Sequence, residues 1–501
     1  MQEQAASMKE AAREGGPIVM IAAAMLLEPR LWAEATFGSV QLGDPRRTRR
    51  AVAIAEALAS ETGASLPKQL HDPAALEATY RFVHSGHVSY DDLLRPHLQQ
   101  TYEEMGKPGR VLLIQDTTEV DSQHHPSTTG LGPIGNGSHH GFLIQSVLAV
   151  VPESREVLGL AQQEPFLRQS VPPGETKWQR EQRAQRESQV WPRSVHAIGR
   201  PPPEVQWIHV GDRASDMFPF LRACLDEGCD FVVRASADRC VDLLVEQADT
   251  KVSPRSHHKA SMAHPAPRHL FEVAADWPVQ DERDLELEAS KTRKARTAHL
   301  AISFGTVRLL PPRMQEKTDL RPIVVQVVRV WEPEPAEGIE ALVWLLLTSV
   351  PTQSVEQAWE RVEWYRARWM VEDLHQGLKT GCQIEQRHLQ DDDGLRTLLG
   401  LLAPMAVRLL QLRAAARQNP EQLASQVLPA DVVAVVAHLE QCDAQTMTNQ
   451  QCWYAIARSG GYLGRKRDGP PGWKTLWRGW LHIQALIEGV HLASHLSRLN
   501  L

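Results

Sequence analysis

The chain has 501 residues, enough for about three domains of ordinary size, and its 42% hydrophobic content can build real cores. A formal net charge of −7 argues against a generally basic protein that coats DNA without specificity, but not against DNA binding by locally clustered cations. Six cysteines (Cys224, Cys229, Cys240, Cys382, Cys442, Cys452) contain no CxxC pair, so they read as buried thiols in a reducing compartment, not as a disulfide frame or zinc knuckle.

Residues 1–30 read as an extension without fixed structure. No apolar run is long enough to span a membrane. Ile18–Leu27 is short, and Glu3, Glu10 and Glu14 outnumber Lys9 and Arg13 ahead of it, against a secretory signal; Ala22-Ala23-Ala24 keeps that option open. Met25 is an alternative start. Residues 31–104 predict helices. Asp44-Pro45 and Asp72-Pro73 each set a capping acid before a proline at the first helical position. Arg46, Arg47, Arg49 and Arg50 crowd the opening turns of the first of these, where cations oppose the helix dipole. A nearby phosphate would explain them; pairing with acids of other elements would do so equally.

VLLIQD at 111–116 predicts a buried strand with Asp116 at its C-terminal end. Asp121, His124 and His125 are rival metal ligands, but Pro126 and the Ser/Thr/Gly string after it predict a loop. GFLIQSVLAV (Gly141–Val150) predicts a second strand, and Arg155–Leu160 begins a third. Residues 165–203 are polar and proline-punctuated, with Lys177, Arg180, Arg183 and Arg186 on what would usually be a solvated helix. VQWIHVGD at 205–212 ends a further strand on Asp212, and Asp216 falls on the helix expected next. FVVRA (Phe231–Ala235) carries Arg234. HLAISFGTVRLL and RPIVVQVVRVW then alternate like antiparallel strands, after a basic stretch at Ser290–Arg296. ALVWLLLTS (Ala341–Ser349) places Trp344 in a buried strand.

Trp364–Cys382, WYRARWMVEDLHQGLKTGC, predicts one helix closed at Gly381. At about 100° per residue, Tyr365, Arg368, Glu372 and Lys379 fall within roughly 60° of one another. Val371, Leu374 and Leu378 can pack behind. A tyrosine, two cations and one carboxylate suit a surface that grips phosphate beside an oxygen-liganded metal; a solvated helix with an i,i+4 ion pair is the plain alternative. Gly394–Leu412 is an apolar helix expected to break at Pro404. Asn419-Pro420 and Asp468–Pro471 divide the short helices of the tail, and Trp473, Trp477 and Trp480 share one helical face, either a domain core or an interface.

The spacing Tyr, two residues, Arg, three residues, Glu, six residues, Lys resembles the Y-R-E-K signature of cut-and-paste DDE transposases of the insertion-sequence-four family. Other blocks are similar to the same family: LGDPRRT and YRF near the N-terminus, DTT at Asp116–Thr118, GDRASD from Gly211, the WLLLTS block, and YAIARSGGYLGRKRDG near the C-terminus. The resemblance spans about Trp32 to Leu492 and is weakest at 165–203 and 240–300.

It implies an α/β protein. An RNase H-like catalytic core (105–395), interrupted by a β insertion (about 236–340), would lie between a helical domain that binds transposon ends (31–104) and a helical dimerisation domain (396–501). It implies that Asp116, Asp212 and Glu372 hold two Mg²⁺ ions, with Mn²⁺ able to substitute. Tyr365, Arg368, Lys379 and Arg234 would contact phosphates, Trp344 would stack on a flipped base, and Arg46, Arg47 and Arg49 would bind DNA. Water would nick one strand at the transposon end; the freed 3′-OH would form a hairpin, and after its reopening would attack target DNA. The partners implied are double-stranded transposon-end and target DNA and a second copy of the chain, in a bacterial cytoplasm, with no membrane. Gln376 departs from the pattern, standing where the best-known relative has lysine, and weakens one phosphate contact. Two other functions compete: a non-catalytic derivative that inhibits transposition, against which the three intact acids speak, and a di-iron protein built on the E-x-x-H of Glu372 and His375, a class that also needs a second such motif and further glutamates on facing helices.

Overall fold

The computed structural model describes residues 28–169, 172, 174–176, 179, 183, 186–243, 268–287, 296–312, 321–335, 338–415, 420–465 and 468–498. Most of the N-terminal extension, Lys177, Arg180 and most of the 290–296 basic stretch therefore lie outside the described residues.

Among the described residues five helices come first: α1 (Pro29–Phe37), α2 (Pro45–Ser60), α3 (Leu66–Leu70), α4 (Pro73–Val83) and α5 (Tyr90–Met105). Helix α1 already starts at Pro29, inside the segment set aside as an extension, and Glu28 caps it by accepting the N–H groups of Arg30 and Leu31. Asp44 and Asp72 cap α2 and α4 as the sequence predicts, the first accepting Arg46 N–H at 2.8 Å. Ala51, Ile54, Ala55 and Leu58 form the buried side of α2.

The centre is one twelve-stranded sheet with the order β2-β3-β1-β5-β6-β12-β11-β10-β7-β8; β4 pairs with β3 and β9 with β10. Its strands are β1 (Arg110–Asp121), β2 (Gly132–Ile134), β3 (His139–Val150), β4 (Val157–Phe166), β5 (Gln206–Gly211) and β6 (Asp230–Arg234), then β7 (Cys240–Leu243), β8 (Arg268–His269), β9 (Asp281–Leu287), β10 (Arg296–Leu309), β11 (Ile323–Trp331) and β12 (Val343–Thr348). Helices α6 (Val190–Ile198) and α7 (Phe218–Asp226) flank β5, and the short α8 (Leu270–Ala275) follows β8. In the 165–203 stretch, Arg183 pairs with Glu175 and Arg193 with Glu164, while α6 buries Val190, Trp191, Val195 and Ile198.

Strands β1, β3 and β4 form an antiparallel meander, and β5 and β6 add parallel to β1. The segment read as an insertion does not leave this sheet. Strand β12 returns to pair antiparallel with β6, and β11 and β10 extend the sheet from there. Two apolar cores result from strand alternation: Leu112, Ile114, Ile208 and Val210 face the helical ends of the chain, and Val111, Leu113, Phe231 and Val233 face α6 and α7.

The C-terminal part follows β12: α9 (Val355–Arg366), α10 (Trp369–Gln376), α11 (Asp392–Ala415), α12 (Ala430–Glu440), α13 (Asn449–Ser459) and α14 (Trp473–Arg498). Helix α11 runs through Pro404 without the expected break. The proline forfeits one backbone bond, and burial of Leu401, Leu402, Met405 and Ala406 on all sides offsets that loss. By length and composition α11 could cross a membrane, contrary to the sequence estimate, but 89% of that window is buried inside the fold. Trp477 and Trp480 of α14 are buried within the chain, and Trp480 stacks on Trp453 with ring centroids 5.8 Å apart. Cysteines 224, 229, 382 and 452 are buried free thiols as expected; Cys442 is exposed and Cys240 half-buried.

Candidate functional site

Asp116 does not end its strand. Strand β1 continues to Asp121 because residues 117–121 stay paired with β3, Thr118 opposite Ile144 and Val120 opposite Phe142. What ends near Asp116 is the parallel partner: the last β1–β5 pair is Ile114 with Val210. Asp116 therefore projects just beyond the C-terminal end of β5, where open parallel sheets commonly place ligand sites.

Asp212 follows β5 directly. A Cβ on Gly211 would lie 2.2 Å from Ser215 Oγ, so glycine permits the tight turn that presents Asp212. One Asp212 oxygen accepts Ala214 N–H at 2.8 Å. Asp216 lies in the turn before α7, not on the helix, because its carboxylate is committed there. It accepts the N–H groups of Ser236 (2.6 Å) and Ala237 (2.9 Å) and pairs with Arg239. That leaves Asp212 as the available acid of the pair.

The signature segment is two helices, not one. At the α9–α10 joint the bonding tightens: Arg368 N–H donates to Tyr365 O and Val371 N–H to Arg368 O, both i to i−3. Lys379 sits beyond α10 in a π turn spanning Gly377–Gly381. Val371, Leu374 and Leu378 pack behind, as expected.

Arg368 is the hub. Its side chain is 11% exposed, and its guanidinium lies 2.6 Å from Glu372 Oε1 and 3.7 Å from Asp116 Oδ2. Burial opposes its charge, but Glu372, Tyr365 and Asp116 outweigh burial and raise its pKa. Burial pushes the Asp116 carboxyl up to about 7. The charges of Asp212 and Glu372 push the same way, and Arg368 and the Thr117 N–H oppose them. Two strands and a much later helix thus bring three acids within electrostatic reach of one another.

The aromatic and basic residues form a line beside this hub. Tyr365 packs edge-on against Trp344, centroids 5.4 Å apart, and Trp344 is half-buried against the edge of the apolar core. Arg234 reaches along β12 and donates to Val343 O at 3.0 Å. Trp369, which the sequence did not single out, is 55% exposed with the Arg368 guanidinium 4.8 Å from its ring centroid; its place next to Arg368 was the only signal. Lys379 is not in contact with the acids and pairs with Glu385 at 3.3 Å. Arg46, Arg47 and Arg49 lie apart on α2. Arg46 reaches only its own cap, Asp44, at 3.8 Å, and Arg47 donates to Leu42 O. Among the described residues no acid of another element pairs with these arginines.

The rival ligands are otherwise engaged. Asp121 bonds His139 at 2.8 Å. His125 contacts Glu385 O and the His388 ring, centroids 4.0 Å apart. His375 is buried, its pKa lowered to about 3 chiefly by burial, and among the described residues Glu372 and His375 are not joined by a third potential ligand. Among the described residues no three His, Cys, Asp or Glu side chains stand close enough to hold a metal as they are. Asp116 and Glu372 flank Arg368, and Asp212 stands near Asp116. Their chemistry nonetheless suits Mg²⁺: hard oxygen donors, with converging negative charge that already requires a cation, here the guanidinium.

Two comparisons bear on the ends of the chain. Residues 29–88, helices α1 to α4 and the turn after them, match the family model described as Transposase DNA-binding. Residues 404–499, from Pro404 of α11 through α14, match the Transposase Tn5 dimerisation domain. A transposase DNA-binding domain at one end and the Tn5 dimerisation domain at the other support a Tn5-like transposase, with which the insertion-sequence-four placement is consistent.

Proposed function

We propose that the protein cleaves DNA at the ends of its own insertion sequence and joins those ends to target DNA, using Asp116, Asp212 and Glu372 as the acids of an RNase H-like core. The observation that carries this is the approach of three acids far apart in sequence: Arg368 pairs with the strand residue Asp116 and the helix residue Glu372, and the charge of the post-strand residue Asp212 acts on Asp116. The antiparallel meander followed by two parallel strands supports the fold assignment.

Asp116, Asp212 and Glu372 would hold two Mg²⁺ ions, which when bound supply Lewis-acid charge neutralisation at phosphorus. The chain's own residues position the strand. Arg368 and Arg234 offer donors to nonbridging oxygens, and Lys379 does so once released from Glu385. Tyr365 donates one hydrogen bond, and its contact with Trp344 holds the indole at the edge of the site, where an unstacked base can be received. Water displaces the 3′ oxygen of one strand; the freed 3′-OH then displaces its counterpart on the other, giving a hairpin. Each step is an in-line displacement, so one positioned site serves all of them.

The N-terminal helices would read the transposon ends and the C-terminal helices would join two protomers. The test is Mg²⁺-dependent cleavage of DNA carrying the flanking element ends, comparing wild type with Glu372→Gln. We expect nicks and hairpins from wild type and neither from the variant. Hairpins made by Glu372→Gln would remove Glu372 from the site.

A further inference from the structure

We propose that Arg368 is an exchangeable cation. In the DNA-free protein its guanidinium holds the charge position between Asp116 and Glu372, and a DNA phosphate, by drawing the arginine away, opens that position to a divalent metal. The inference rests on the assignment of those acids as metal ligands and adds a coupling between the metal and DNA.

The arginine's partners suggest the exchange. Arg368 bonds Glu372 at 2.6 Å, forms an ion pair with Asp116 at 3.7 Å and bonds no backbone carbonyl among the described residues. It also lies over the face of Trp369, itself 55% exposed. A guanidinium stacked on an exposed indole has a path outward that keeps its cation–π contact. Arg387, just past the signature segment, shows the opposite arrangement. Its guanidinium is fixed by Cys382 O, Ala64 O and Gln69 Oε1 and has no carboxylate partner among the described residues.

A divalent ion between Asp116 and Glu372 would need the oxygens Arg368 occupies and would be repelled by its charge. A phosphate offers the arginine a bidentate acceptor of equal charge. Metal and arginine therefore compete without DNA and cooperate with it. By linkage, DNA must raise metal affinity by the same factor that metal raises DNA affinity.

The experiment measures Mn²⁺ binding to the full chain by the electron paramagnetic resonance of free Mn²⁺, with and without a short duplex carrying the element end. It compares wild type, Arg368→Gln, Arg368→Lys and Glu372→Gln, each checked by circular dichroism. Without DNA, Arg368→Gln should bind Mn²⁺ about tenfold tighter than wild type, within the usual range of coupling between sites. Arg368→Lys, whose ammonium cannot span both acids, should fall between. DNA should tighten binding to wild type about tenfold and to Arg368→Gln much less. If DNA-bound wild type binds Mn²⁺ that Glu372→Gln loses, yet Arg368→Gln is no tighter than wild type without DNA, the exchange is wrong and the metal site stands. If Glu372→Gln loses no Mn²⁺ under any condition, the metal site falls and the exchange with it.

Discussion

Arg368 and Arg387 lie nineteen residues apart in sequence and are both largely buried, but their surroundings differ. Arg387 is 3% exposed in the seam between the N-terminal helices and the end of the signature segment, where neutral oxygens of Ala64, Gln69 and Cys382 surround it. Arg368 lies between two partly exposed carboxylates, Asp116 and Glu372, which border the candidate cleft. A carbonyl buried among apolar residues has no substitute donor, so the Arg387 contacts are fixed parts of the fold. A carboxylate at a cleft edge can exchange one cation for another. The seam holds the DNA-binding helices against the segment that carries Lys379, and the cleft is where chemistry would occur.

The contrast breaks if Arg387 proves dispensable. Arg387→Met should cost about 3 kcal/mol in urea unfolding, because two buried acceptors, Cys382 O and Gln69 Oε1, and the half-buried Ala64 O lose their donor at about 1–3 kcal/mol for each buried one. A loss under ~1 kcal/mol would place Arg387 with Arg368 and dissolve the distinction.

The pH dependence sharpens it. Burial lowers the pKa of His97 to about 4 and of His209 to about 3. His97 Nε2 accepts Leu160 N–H at 3.1 Å, and His209 Nδ1 is 2.7 Å from Gln115 Nε2. Both stay neutral when folded and protonate near pH 6.5 when unfolded. Their contribution is complete above about pH 6.5 and is lost as pH falls toward about 4 for His97 and 3 for His209, at about 1.4 kcal/mol per pH unit for each. Asp116 in the cleft runs the other way. Its pKa is raised to about 7, chiefly by burial, so its contribution is present below the ordinary carboxylate range and fades as pH rises toward 7. Unfolding at pH 7 and pH 5 should show a net loss in acid that His97→Gln reduces; an unchanged slope in that variant would contradict the assignment.

Two smaller effects belong to the cleft alone. Trp344→Ala should slow hairpin formation several-fold more than first nicking, since its indole faces Tyr365 and the cleft. Equal slowing of both steps would make Trp344 a packing residue. Arg368→Gln should cost less stability than Arg387→Met, because Asp116 and Glu372 keep 20% and 39% of their side-chain exposure and can be solvated when the guanidinium is lost.

The capping pairs Asp44-Pro45 and Asp72-Pro73, the apolar runs that become β1, β3 and β5, and the acids at or near strand ends were legible because each is a local pattern. The continuation of β1 through Asp121 was not, because it depends on pairing with β3, whose partner residues lie twenty or more positions away. The same holds for β12 returning to β6, which makes the expected insertion an extension of the sheet. The joint at Arg368 falls in a run of good helix formers, and nothing in their propensities marks it. Arg387 left no signal at all: its partners at Ala64 and Cys382 are backbone carbonyls, which any residue can supply. Within the candidate site, the i,i+4 pair of Arg368 and Glu372 could be read from spacing. The approach of Asp116 and Asp212 to that pair could be expected only from the resemblance.

The central claim is that Asp116, Asp212 and Glu372 share divalent metal. Anomalous scattering from Mn²⁺ in crystals of the protein bound to element-end DNA tests it directly. The account predicts peaks lying between those three carboxylates, with the Arg368 guanidinium turned onto a phosphate. Peaks at Asp121 and its neighbouring histidines, with none among the three acids, would contradict it.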